Sequence, residues 1–131
     1  MSSSEGLKPK HIVVINAEAD FLIAVRSLLE DEGYTVSTIH VFEEPFKLVI
    51  AEQPAAIVLD FVYEKPEAWQ LLTELDSDPR TREIPLLATS TDAEIVERVL
   101  ARISHRHASG MLVKPMELDA LVEAVNRLTA E

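Results

Sequence analysis

No cysteine occurs among the 131 residues, which excludes disulfides, thiolate catalysis and cysteine metal sites, and fits a reducing cytoplasm. Glycine is nearly as scarce, at three, and no glycine-rich loop is present to cradle phosphates, so nucleotide binding of that kind has no support. Basic residues are the minority: 12 Lys and Arg against 23 Asp and Glu give a net charge of -11. Phosphate backbones repel such a surface and no basic cluster offsets it, so a nucleic-acid partner is excluded. The acidity itself has two readings, plain solubility or a preference for basic partners. No apolar run approaches the ~20 residues that span a bilayer. Met1 to Lys10 is polar and lacks the apolar core of a signal peptide. No membrane partner is expected, and the expected location is cytoplasmic.

What remains is a chain with 47% hydrophobic residues, long enough for one compact domain and too short for two ordinary ones. Residues 1–10 read as a disordered lead-in and residues 11–131 as a single domain. Within it, short apolar runs alternate with helical patterns. Ile12–Ile15 is a strand, and Asp20 is placed to cap a helix carrying Phe21, Leu22, Val25, Leu28 and Leu29, which Gly33 stops. Tyr34–Ile39 reads as a second strand, and Pro45 opens a short helix to Glu52. Pro54–Asp60, an apolar run entered through a proline and ended by a carboxylate, is a third strand, followed by a helix from Pro66 with Trp69, Leu71, Leu72 and Leu75 as packing residues. Ile84–Thr89 is a fourth strand, ending at Ser90, and Asp92 caps a helix from Ala93 to Ser104. Gly110–Val113 and Leu118–Leu128 complete the series. Five strand–helix alternations predict an α/β fold, a doubly wound parallel sheet with helices on both faces.

In such sheets chemistry collects outside the carboxyl ends of the strands, near the topological switch point. Asn16, Glu18, Asp60, Ser90 and Lys114 are all expected on that rim. Asp60 has the chemistry of a nucleophile, Ser90 of a hydrogen-bond donor to a phosphoryl oxygen, and Lys114 of a charge neutraliser. Plainer roles stand beside these: Asp60 as a strand-end carboxylate paired with Lys114, and Ser90 as a cap on the following turn. His105 and His107 suggest a metal, but they lie at a helix end, where cations favour the dipole.

Over Ile12 to Leu128 the sequence resembles the receiver domains of two-component response regulators. The carriers are Pro54-x-x-Ile57-Val58-Leu59-Asp60, Ile84-Pro85-Leu86-Leu87-x-x-Ser90 and Gly110-x-x-x-Lys114-Pro115. The resemblance implies a flavodoxin-like sheet of order 2-1-3-4-5, with Asp60 as phosphoacceptor, Ser90 as switch hydroxyl and Lys114 as the invariant lysine. It implies a magnesium ion held by Asp60, the Val62 carbonyl and two acids after the first strand, and a cis bond between Lys114 and Pro115. It also implies a histidine kinase as phosphodonor, and partners docking on the fourth helix, fifth strand and fifth helix. Glu94, Arg98, Arg102, Met111, Asp119 and Glu123 are expected on that surface.

The departures from the family decide the expectation. Asn16 and Ala17 stand where the acids belong, so Asn16 is a weak or absent ligand and Ala17 offers none. Glu18 leaves the backbone one position too late to replace them. Met111 stands where an aromatic usually swings with the switch hydroxyl, and Ala68 and Glu64 replace a glycine and a proline. The expectation is a degenerate receiver without a cofactor, not an enzyme, that signals by docking proteins. The alternative is a working phosphoreceiver using Mg2+, at most catalysing its own aspartyl phosphorylation. A flavodoxin-like enzyme of another class has no catalytic constellation behind it.

Overall fold

The computed structural model describes residues 8–61, 66–106, 108–114 and 117–130. In chain order it contains β1 (His11–Asn16), α1 (Ala19–Asp31), β2 (Thr35–His40), α2 (Pro45–Glu52), β3 (Ala56–Asp60), α3 (Glu67–Ser77), β4 (Leu86–Ser90), α4 (Ala93–Ile103), β5 (Ser109–Val113) and α5 (Leu118–Thr129). All pairings are parallel, and the strand order is β2-β1-β3-β4-β5. This is the doubly wound parallel α/β sheet that the strand–helix alternation predicts, in the flavodoxin-like order that the resemblance implies.

Each central strand is apolar on both faces because each face carries helices. Side chains alternate in direction along a strand, so odd and even positions serve different cores. Val13, Ile15, Ile57, Leu59, Leu86 and Ala88 pack with Leu71, Leu72 and Leu75 of α3 and Ile95, Val99 and Ile103 of α4. Ile12, Val14, Val58 and Leu87 pack with Val25 and Leu29 of α1 and Leu121 and Val125 of α5. Continuing the same alternation to the strand ends puts Asn16, Asp60, Thr89 and Lys114 on the α1/α5 side. Ser90, Met111 and Val113 fall on the α3/α4 side.

Local signals account for several boundaries. Asp92 caps α4, its carboxylate accepting the Glu94 N–H at 2.8 Å. Gly33 closes α1 at φ 97°, a left-handed angle that glycine adopts without a Cβ penalty. There the Gly33 N–H bonds the Glu30 carbonyl and the Tyr34 N–H bonds the Leu29 carbonyl. The start of α1 differs from expectation. Glu18 is the N-cap, without a side-chain cap bond, and Asp20 lies inside the first turn, where a carboxylate still favours the helix dipole. Two non-glycine residues, Glu44 at φ 56° and Gln53 at φ 46°, take left-handed angles at the two ends of α2, and no sequence signal marks them.

Candidate functional site

The alternation of side chains builds the site. Asp60 ends β3 opposite Thr89 of β4 in the parallel register, on the same face. The Thr89 hydroxyl donates to Asp60 Oδ1 at 2.6 Å. Lys114, one residue past β5, donates to the same oxygen at 2.8 Å. Both members of the ion pair are nearly buried, with 12% of the lysine side chain and 9% of the aspartate side chain exposed. Lys114 is further enclosed by the Phe21 ring of α1, 4.5 Å from its ammonium, and by Glu18 Oε1 at 3.9 Å. A buried lysine with a carboxylate, an aromatic face and a second carboxylate around it is already well neutralised.

Asn16 ends β1 with 2% of its surface exposed. Its Oδ1 accepts the backbone N–H of Glu18 at 2.9 Å. Its Nδ2 is buried and has no hydrogen-bond partner among the described residues. The assignment of oxygen and nitrogen follows from chemistry, since a backbone N–H requires an acceptor. The polar atom that Asn16 leaves uncommitted on the Asp60 side of the sheet is therefore a donor.

Ser90 is separated from this group. It is fully buried on the α3/α4 side, and its hydroxyl accepts the Asp92 N–H at 3.1 Å, stapling the turn into α4. Of the residues expected on the rim, the structure brings Asp60 and Lys114 into contact, places Asn16 on the same face and Glu18 at the rim, and turns Ser90 away. Val62 and Pro115, on which a metal ligand and a cis bond were expected, lie outside the described residues, as does His107. His105 lies 3.8 Å from Asp76. Thr89 is the residue that sequence reasoning missed. Its signal is parity, since a residue two after Leu87 shares Leu87's face.

Three comparisons with known proteins bear on the chain: with a family model, with solved structures and with curated proteins. The response regulator receiver domain model matches residues 12–126. The chain belongs to the response regulator receiver domain family. Among solved structures, this receiver is similar to the signal receiver domain of a histidine kinase from Syntrophus aciditrophicus, with 21% identity, TM-score 0.77, and 92% and 90% of the two chains covered. It is also similar to the chemotaxis protein CheY4 of Vibrio cholerae, with 19% identity, TM-score 0.76, and coverage of 92% and 98%. The third is the receiver domain of the sensor histidine kinase PA1611 from Pseudomonas aeruginosa, at 15% identity, TM-score 0.78, and coverage of 94% and 99%. That structure has magnesium coordinated in its active-site cleft. Among curated proteins, none matches the chain.

The residues of this receiver fit that ion poorly. Magnesium asks for six oxygens in a near-octahedral shell. Asp60 is the carboxylate in place, and its Oδ1 already takes a lysine and a threonine hydroxyl. The Asn16 oxygen is uncharged and already accepts a backbone N–H, Ala17 has no side-chain oxygen, and the Glu18 side chain is 73% exposed at the rim. Among the described residues no three His, Asp or Glu side chains converge to hold a metal. No described helix is long and apolar enough to cross a membrane.

Proposed function

We propose that this receiver, running from about residue 11 to residue 131 behind a short N-terminal lead-in, works in two-component signalling by docking protein partners without phosphorylation. The observation that carries this reading is the Asn16 amide, whose oxygen accepts from Glu18 and whose nitrogen has no partner among the described residues. An amide nitrogen gives a divalent cation no ligand, and the neutral amide oxygen is a poorer one than the carboxylate it replaces. Without the cation, phosphoryl transfer to Asp60 loses the ion that would bridge carboxylate and phosphate oxygens. Asp60 and Lys114 then serve as a buried ion pair closing the ends of β3 and β5, and Ser90 as a turn staple. No cofactor is required, and the domain is not an enzyme.

The docking surface in this reading is the α4–β5–α5 face in a cytoplasmic protein. Its make-up differs from the expectation at Arg98, Arg102 and Met111, the last of which packs against the core. Arg98 lies over the Trp69 ring, 5.1 Å from its centroid, and Arg102 reaches Thr73 at 3.3 Å. Both arginines turn toward α3.

The second reading, a phosphoreceiver taking a phosphoryl group on Asp60 from a histidine kinase, is supported by the contact of Lys114 with Asp60. Beryllofluoride with magnesium, followed by amide NMR, separates the two. The docking reading expects no saturable shifts around Asp60, Thr89 and Lys114. Saturable shifts there, or phosphate incorporation lost in Asp60→Asn, would establish the second.

A further inference from the structure

We propose that the α4–β5–α5 edge takes a heterologous partner segment that is basic and amphipathic, an apolar anchor flanked by Lys or Arg, and that it does not mediate self-association. This rests on the docking reading above and adds the chemistry of the partner.

The apolar part of the edge is built by two exposed side chains. Leu100 on α4 is 42% exposed and Val113 on β5 is 45% exposed. Val113 lies two residues beyond Met111, on the same face of β5, and Met111 packs against the core that contains Ile95, Val99 and Ile103 of α4. On α4 the position of Arg98 over Trp69 marks the α3 flank. Leu100, two residues on, is about 200° further round the helix and so lies on the opposite flank, toward β5. β5 is the last strand of the sheet and pairs with β4 alone. Between β5 and α5 runs a cleft of about 190 Å³ floored by Leu87, Leu112, Ala124 and Leu128.

Charge on this edge is segregated by the packing of α4. Arg98 stacks on Trp69, Arg102 bonds Thr73 and lies 3.5 Å from Asp76, and Arg106, just past the helix, bonds Asp76. The four-residue spacing lines these arginines along one seam against α3. Positive charge is thereby drawn off the β5 side of α4. Exposed beside Leu100 is Glu97, and α5 exposes Asp119 and Glu123, with Arg127 lining the cleft. A two-fold interface would set this patch against itself. The acids of both copies would then meet in chains that each carry a charge of -11. A basic partner meets the acids with opposite charge and offers its apolar face to Leu100 and Val113.

The test uses the full chain, isotopically labelled, and two designed amphipathic helical peptides with the same leucine stripe, one filled out with lysine and one with glutamate. The lysine peptide is expected to shift the amides of Leu100, Met111, Val113 and Glu123, with weaker binding at high salt. Glu97→Lys and Glu123→Lys should each weaken it by up to about fivefold. Leu100→Ser should weaken it about tenfold. If the glutamate peptide binds the same amides as tightly, or the chain dimerises through them in sedimentation, the basic chemistry is wrong while the docking face stands. Shifts from the lysine peptide centred on α1 or α2 would overturn both, and no shift from it at all would overturn the proposed chemistry.

Discussion

Asn16 and Glu18 are joined by a hydrogen bond from the Glu18 backbone N–H to the Asn16 side-chain oxygen at 2.9 Å, and that bond orients the Asn16 amide. It occupies one lone pair of the single, uncharged side-chain oxygen at position 16. An aspartate in its place would make the same turn bond with one oxygen and keep a second, charged one free.

The first prediction reverses this change. Asn16→Asp combined with Ala17→Asp should restore an acidic pair beside Asp60 and create magnesium binding in the millimolar range. Amide NMR should show saturable shifts at the ends of β1 and β3 in the double variant and none in the unaltered chain. Magnesium-dependent shifts of equal size in the unaltered chain would refute the reading of the pocket.

Thr89 and Ser90 are adjacent, yet their hydroxyls face opposite cores and their substitutions should differ. Thr89→Val removes a donor from a nearly buried carboxylate and should cost about 1–3 kcal/mol. Ser90→Ala removes a bond to one turn N–H and should cost about 0.5–1.5 kcal/mol. Lys114→Met leaves Asp60 without its counter-charge and should cost the most of the three, about 3–5 kcal/mol. Urea unfolding of the three variants gives the ranking directly, and a Ser90→Ala loss exceeding that of Thr89→Val would contradict the observed partners.

At the opposite end of the sheet, Glu52 of α2 accepts from Ser37 at 2.7 Å and lies 2.6 Å from His11 Nε2. Burial pushes its carboxyl upward, but the bonds from Ser37 and His11 outweigh this and hold it below the ordinary glutamate value of 4.5. A carboxyl depressed in the folded state stabilises the fold above its unfolded pKa, and that contribution is lost as pH falls through the folded value. Melting temperature measured from pH 6 down to pH 3 should therefore fall less steeply below about pH 4.5 in Glu52→Gln than in the unaltered chain. Parallel curves would show that Glu52 carries no such linkage.

Most of the architecture was readable from the sequence because buried parallel strands are short unbroken apolar runs and the helices between them carry apolar stripes, with a clear side-chain cap at α4. Ile57–Asp60 and Asp92 are such cases. The site was readable as a set of strand-end positions, and less so as a set of partners. Thr89 and Ser90 look equivalent in the sequence, and which one reaches Asp60 depends on register and side-chain parity across β3 and β4. The directions of Arg98 and Arg102 were not readable either. They are set by Trp69, Thr73 and Asp76 on a different helix, and helical spacing within α4 alone does not say which flank is occupied.

The same seam yields the last prediction. Arg106 is 5% exposed, and its guanidinium bonds Asp76, the Thr81 carbonyl at 2.8 Å and the Ile84 carbonyl at 3.0 Å. Burial lowers its pKa from the ordinary arginine value, and Asp76 opposes that shift. Asp76 also lies 3.5 Å from Arg102, so this single carboxylate ties the end of α3 to both α4 and the turn after it. Asp76→Ala strands a buried cation and should cost about 3–5 kcal/mol. Arg106→Met removes the charge and fills much of the volume, leaving two carbonyls short of a donor, so it should cost less. Adding Arg106→Met to Asp76→Ala should then recover part of the loss, with a coupling of about 1–3 kcal/mol in a double-mutant cycle measured by urea unfolding. Strict additivity of the two losses would mean that Asp76 and Arg106 do not depend on each other, and the seam between α3 and α4 would need another anchor.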